Sequence, residues 1–171
     1  LDTYNTLFIE IFIVLMLSAF FSGTEIAFVS SNKMLFEMER EDGGITSRII
    51  DIFYKHPSNF ISTILVGNNI ALVIYGILMA KLIDGLIIQT IVSTIIVLFT
   101  GEFLPKMLFR INPNRMIRIC AFPAMLFYIL LWPISKITSG LSHMILFLLG
   151  MRAPKEEEEQ GFRKADLDHL I

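Results

Sequence analysis

The stretch "PSNFISTILVGNNIALVIYGILMA", residues 57–80, runs for 24 positions without a formal charge. About 20 apolar residues in an α-helix cross the hydrocarbon core of a bilayer, so the stretch reads as a membrane span and decides the fold class. Four residues further on, Gly85 to Gly101 is a second uncharged run of 17, and a third lies earlier, from about Leu7 to Val29, without charge from Ile11 to Thr24. The composition agrees. Apolar residues make up 54% of 171 residues and charged residues 18%, with a mean hydropathy of +0.68, more than a single soluble core requires. The runs lack the period-two alternation of a membrane barrel strand. Asp2 and Glu10 stand where a signal peptide would carry basic residues, so the first run is read as a span. The expected fold is an all-α membrane protein with spans at about 7–29, 57–80 and 85–106.

Charge decides orientation and excludes some partners. With 14 basic and 16 acidic residues, the net charge of −2 implies no nucleic-acid partner. The single cysteine, Cys120, allows neither an internal disulfide nor a thiolate cluster. Lys33, Arg40, Arg48 and Lys55 lie between the first two spans, and Lys106, Arg110, Arg115 and Arg118 follow the third, whereas the 81–84 turn has Lys81 alone. Basic loops stay cytoplasmic. This places the N-terminus and the 81–84 turn outside, and the C-terminus inside a plasma membrane.

Ile119 to Met151 is as apolar as the spans but contains Pro123, Pro133 and Lys136. Proline removes a backbone donor and crowds the preceding turn, so two helical pieces are expected, lying along the membrane surface, with a fourth span as the alternative. Juxtamembrane helices are accordingly expected at about 30–56 and 112–150, closing a transmembrane domain at 1–150. The charged 151–171 tail reads as an acidic linker toward a cytosolic module.

The polar residues inside the spans sit at similar depths. Ser22, Asn68 and Glu102 all fall in the half nearer the basic segments, where three helices can aim them at one point. Pro105 cannot donate to the Gly101 carbonyl, which leaves that oxygen beside the Glu102 carboxylate. Hydroxyl, amide oxygen, carbonyl and carboxylate form an all-oxygen set suited to Mg²⁺ or Ca²⁺, and without His or Cys it does not suit Zn²⁺. Each member has a plainer reading. Glu102 and Lys106 have the order of a helical i,i+4 ion pair. Ser18 and Ser22, like Gly67 and Ala71, have the spacing of close helix packing. Glu25 either guards the way to the site or reaches headgroup water. No nucleophile–base pair is evident, since His56, His143 and His169 lie at loop or surface positions, so no enzyme activity is expected.

Three motifs in order, "FFSGTEIAFVSS", "LVGNN" and "GEFLPK", resemble the transmembrane domain of the cyclin M/CorC family of magnesium transporters. The resemblance implies a homodimer with three spans per subunit, a juxtamembrane helical belt, and dehydrated Mg²⁺ held in a cavity open to the cytoplasm. By motif it carries the ligand roles to Ser22, Asn68 and Glu102, with Gly101 beside them, Asn69, Glu25 and Ser18 as accessory candidates, and Pro105, Gly67 and Gly23 as structural residues. Relatives place a second asparagine where this sequence has Leu72. They also continue into an ATP-binding paired cystathionine-β-synthase-type module. The function so implied is Mg²⁺ transport, as efflux, and the alternative is a membrane anchor and dimerisation module that senses Mg²⁺ without moving it.

Overall fold

The computed structural model describes residues 2–38 and 44–149. Among them every regular element is a helix: α1 (Asp2–Ser30), α2 (Lys33–Met38), α3 (Ile45–Lys55), α4 (Pro57–Leu82), α5 (Leu86–Ile96), a π-helical segment (Val97–Phe103), α6 (Leu104–Ile111) and α7 (Pro113–Leu148). The expected acidic linker at 151–171, and Arg40, lie outside the described residues.

Local chemistry sets the helix ends. Pro57 occupies the first turn of α4, where its missing N–H would have had no intrahelical partner. Gly85 has φ +96, a conformation open to glycine and disfavoured for side chains with a Cβ. That residue lets the chain reverse in the three positions between α4 and α5. α5, the π segment and α6 follow one another without a gap, so Leu86–Ile111 is one apolar rod.

Among the described residues four helical stretches are long and apolar enough to cross a membrane: Tyr4–Ser30, Pro57–Leu82, Leu86–Ile111 and Pro113–Ile134. The last corrects the expectation of two proline-broken pieces, because α7 is continuous through both Pro123 and Pro133. Both prolines lie on its exposed side. The opposite side buries an unbroken stripe, Ile117, Cys120, Ala121, Ala124, Tyr128 and Leu131, against α1, α3 and α4. Packing along that stripe holds the helix where two backbone bonds are missing, as happens in membrane helices with close neighbours.

The buried side chains form two clusters. One joins α1 (Phe21, Ala27, Phe28), α2 (Phe36), α3 (Ile49, Ile50, Phe53), α4 (Phe60, Ile64) and α7 (Ile117, Ala121, Ala124, Tyr128, Leu131). Aromatic rings dominate it: Phe53 stacks on Phe60 with centroids 4.0 Å apart, and Phe21 meets Phe127 edge-on at 4.9 Å. Tyr54 on α3 stacks on Phe28 and shares a hydrogen bond with Ser31. Burial pushes its phenol above the ordinary value, with the Ser31 bond pulling the other way.

The second cluster lies toward the other end of the spans. Ile11, Tyr75, Leu78 and Met79 are buried there, with Val92, Ile96 and Val97 packed against them. It is made by α1, α4 and the third rod, tied by the Tyr75 hydroxyl donating to the Ser93 carbonyl at 3.1 Å. Among the described residues α7 contributes to the first cluster and not to the second.

Candidate cation site

The hydroxyls of the spans divide into two kinds. Thr63, Thr90, Ser93 and Thr100 donate to carbonyls three or four residues back on their own helices, the usual way a helix absorbs a hydroxyl. Ser22 does not. Its side chain is fully buried and its Oγ has no hydrogen-bond partner. Thr24 Oγ1 is buried likewise, without an oxygen or nitrogen partner, beside the Cys120 thiol. An unsatisfied polar atom in an apolar interior costs about 1–3 kcal/mol, so such an atom calls for an explanation.

Ser18, Ser22 and Glu25 follow one another at i, i+4 and i+7, one face of α1. That face looks onto both other spans. Ser18, also fully buried, donates from Oγ to Asn68 Oδ1 on α4 at 2.8 Å. The same oxygen lies 3.2 Å from where a Cβ would stand on Gly101. Gly101 is therefore the residue that lets α1 press on the third rod, and Ser18 is where three spans meet. Ser22, Asn68 and Glu102 lie roughly 12, 16 and 14 Å along their helices from Ser30, Pro57 and Ile111, at about 1.5 Å per residue.

Two more glycines admit aromatic rings. A Cβ on Gly67 would stand 2.6 Å from the Phe21 ring, and one on Gly23 would stand 2.8 Å from the Phe109 ring. The close approach expected at Gly67 is thus made by a side chain rather than a backbone. Gly76, four before Ala80, faces open space and plays no such part.

The third rod changes its winding at the site. Val97–Phe103 is π-helical, and the Leu104 N–H reaches back five residues to the Phe99 carbonyl. Pro105 stands in the first turn of α6 and offers no N–H to the Gly101 carbonyl, while its ring would crowd that carbonyl in a regular α-helix. The wider turn relieves the conflict and adds one residue to the turn that carries Gly101 and Glu102.

Glu102 is half-buried and lines a groove of about 540 Å³ with Ile95, Leu98, Phe99, Phe103 and Lys106. It makes no ion pair with Lys106. Lys106 Nζ instead lies 3.8 Å from Glu25 Oε2, an ion pair from α1 to α6. Asn69 is exposed on α4 and Leu72 is half-buried.

The fold therefore brings together Ser18, Asn68 and Gly101, with Ser22 one turn from Ser18. Glu102 follows Gly101 on the adjoining face, and Glu25 is engaged with Lys106. The donors are neutral oxygens with one unpaired carboxylate beside them, and no cluster of three His, Cys, Asp or Glu occurs among the described residues. Such a set fits a hard cation and not a soft one. Sequence reading gave Ser18 only an accessory place and did not foresee the π segment. The Gly–Glu–x–x–Pro spacing was the available signal for the latter, and the shared helical face of Ser18 and Ser22 for the former.

Fold and site together define a helical membrane domain with an oxygen-lined cluster buried between its spans. The chain belongs to the cyclin M transmembrane N-terminal domain family, whose pattern it matches over residues 9–171. It is 29% identical over 149 residues to a UPF0053 protein of Mycoplasma genitalium, covering 80% of this chain and 35% of that one. With the UPF0053 inner membrane protein YfjD of Escherichia coli it shares 26% over 142 residues, 80% of this chain and 33% of the relative. A chloroplastic DUF21 domain-containing protein of Arabidopsis thaliana is 27% identical over 154 residues, 84% and 23%. The chain thus spans about a third or less of the length of these relatives.

Proposed function

We propose that this chain is the transmembrane domain of a Mg²⁺ transporter, working as an efflux route, with the cation as cargo held by Ser22, Asn68 and Glu102 beside the Gly101 carbonyl. The observation that carries the reading is the Ser22 hydroxyl, fully buried and unpartnered on the same face of α1 as Ser18, whereas Thr63, Thr90, Ser93 and Thr100 each bond to their own helix. A cation supplies what that oxygen lacks. Glu102 supplies charge, since a divalent ion leaving water for a low-dielectric site needs a formal negative charge nearby. Ser18 orients the Asn68 amide by its hydrogen bond and leaves one Oδ1 lone pair for the ion.

The same proposal includes three spans per subunit, a belt formed by α2, α3 and α7 on the cytoplasmic side, an outward N-terminus and a homodimer in the plasma membrane. Among the described residues α7 packs into the first cluster and not the second, which supports the belt, because a crossing helix would run beside that end of the spans as well. An ATP-binding paired cystathionine-β-synthase-type module is the partner proposed for the longer protein. The sensing alternative draws on one observation: Ser18 and Ser22 are both wholly enclosed, as in a site that binds without passing ions.

Two measurements test the proposal. Mg²⁺ at about 100 times its dissociation constant should add about 2.7 kcal/mol to unfolding, and Glu102→Gln, which keeps the shape and removes the charge, should abolish that gain while the apo protein stays folded. A retained gain in the variant would sink the ligand assignment. Mg²⁺ flux from proteoliposomes carrying the full-length protein, lost in Glu102→Gln, supports transport; binding without flux leaves the sensor reading.

A further inference from the structure

Two residues that follow the buried Ser22 in the chain contact another helix. Gly23 accepts the Phe109 ring at a spacing that leaves no room for a Cβ, and Glu25, one turn beyond Ser22 on the same face, holds Lys106. Both contacts reach α6, the short helix that continues the third rod just past the π segment. Lys33 with Glu37 and Lys55 with Asp51 pair within single helices. The Glu25–Lys106 pair ties α1 to α6 one turn along α1 from the buried Ser22 hydroxyl.

We infer that Glu25 and Lys106 form a gate over the Ser22 hydroxyl, closed in this structure, with Phe109 on Gly23 as its hinge-side seal. Lys106 acts as a tethered cation. It occupies Glu25 while the site is closed and releases that carboxylate to an incoming ion when α6 moves away from α1. The pair suits a moving part, because both partners keep a substantial exposure, 41% and 27%, and exposed pairs are weak enough to break on thermal excitation. The π segment next to α6 gives the motion a place to occur, as its winding can revert locally without unfolding the rod. The closure is read from geometry alone. That it governs a cation rests on the proposed function.

The test reads accessibility without any ion. Ser22→Cys in a Cys120→Ser background of the full-length protein, in liposomes and free of Mg²⁺, is reacted with a small cationic methanethiosulfonate. Glu25→Gln or Lys106→Met should raise the reaction rate about two- to fivefold, the range a half-exposed ion pair commands. The exchanged pair Glu25→Lys with Lys106→Glu should return the rate toward that of the parent. Ala71→Cys, wholly buried on α4, serves as control and should stay slow throughout. An unchanged rate at position 22, a matching rise at position 71, or failure of the exchanged pair to restore protection would each overturn the gate. Loss of Mg²⁺ binding alone would count against the proposed function and leave the gate standing.

Discussion

At the scale of single residues, the decisive contrast is between hydroxyls that bond to their own helix and the buried Ser22 hydroxyl, which, like that of Thr24, has no such bond. Thr63 and Thr100 donate to carbonyls four residues back at 2.8 and 2.7 Å and need nothing further. Ser22 is buried at the same cost with no return. Removing its oxygen should therefore stabilise the empty protein: Ser22→Ala is expected to raise apo stability by about 1 kcal/mol, the lower end of the cost of an unpaired buried group. In the same variant the stabilisation by Mg²⁺ should shrink. A thermal unfolding series with and without Mg²⁺ checks both signs. A destabilised apo variant with an intact Mg²⁺ effect would mean that Ser22 is a packing residue, the plainer reading of its spacing from Ser18.

At the scale of elements, the third rod owes its site to a change of winding. Gly101 lies where a Cβ would crowd Val97 Cγ2 at 3.1 Å and Ser18 Oγ at 3.2 Å. Glu102 has to follow it directly, and Pro105 denies the turn its regular bond. Replacing the proline by alanine returns an N–H and removes the ring, so Pro105→Ala should favour an α-helical turn and raise the intrinsic helix stability by up to about 3 kcal/mol. The cost should appear in function, as the turn that carries Gly101 and Glu102 is rewound. The expected outcome is a protein at least as stable as the parent with a Mg²⁺-dependent thermal shift reduced by half or more. Equal Mg²⁺ shifts in parent and variant would show that the π segment does not set the position of the carboxylate.

At the scale of the whole molecule, membrane topology and the role of α7 belong together. Four stretches satisfy the length and apolarity of a span, yet the core that α7 joins is the one shared with α2 and α3, at the end of α1 that leads into the basic loop. The proposed topology puts position 48 and the chain beyond α7 inside and position 84 outside. Single cysteines at 48, 84 and 160, in a background lacking Cys120, answer to an impermeant thiol reagent on intact cells. Labelling at 84 alone is expected. Labelling at 160 would make α7 a fourth span, and labelling at 48 without 84 would invert the whole arrangement.

The solvent of this protein, its helical class and its family were legible from residues 57–80, the flanking apolar runs and three short motifs, because hydrocarbon leaves a helix as the simplest way to satisfy a backbone and so writes spans as uncharged runs. Ser22, Asn68 and Glu102 were also legible as candidates, since polar groups at mid-span depth stand out against such runs. Which oxygens meet was not. That Ser18 rather than Ser22 bonds Asn68, that Lys106 turns from Glu102 to Glu25, and that α7 passes unbroken through two prolines depend on how helices rotate and press on one another. Rotation is decided by glycines accepting rings, as at Gly67 and Gly23, and by one turn of π winding, contacts between segments far apart in the chain that no local pattern records. Tertiary packing alone chose them, because each saves or costs only as much as its neighbours' shapes allow.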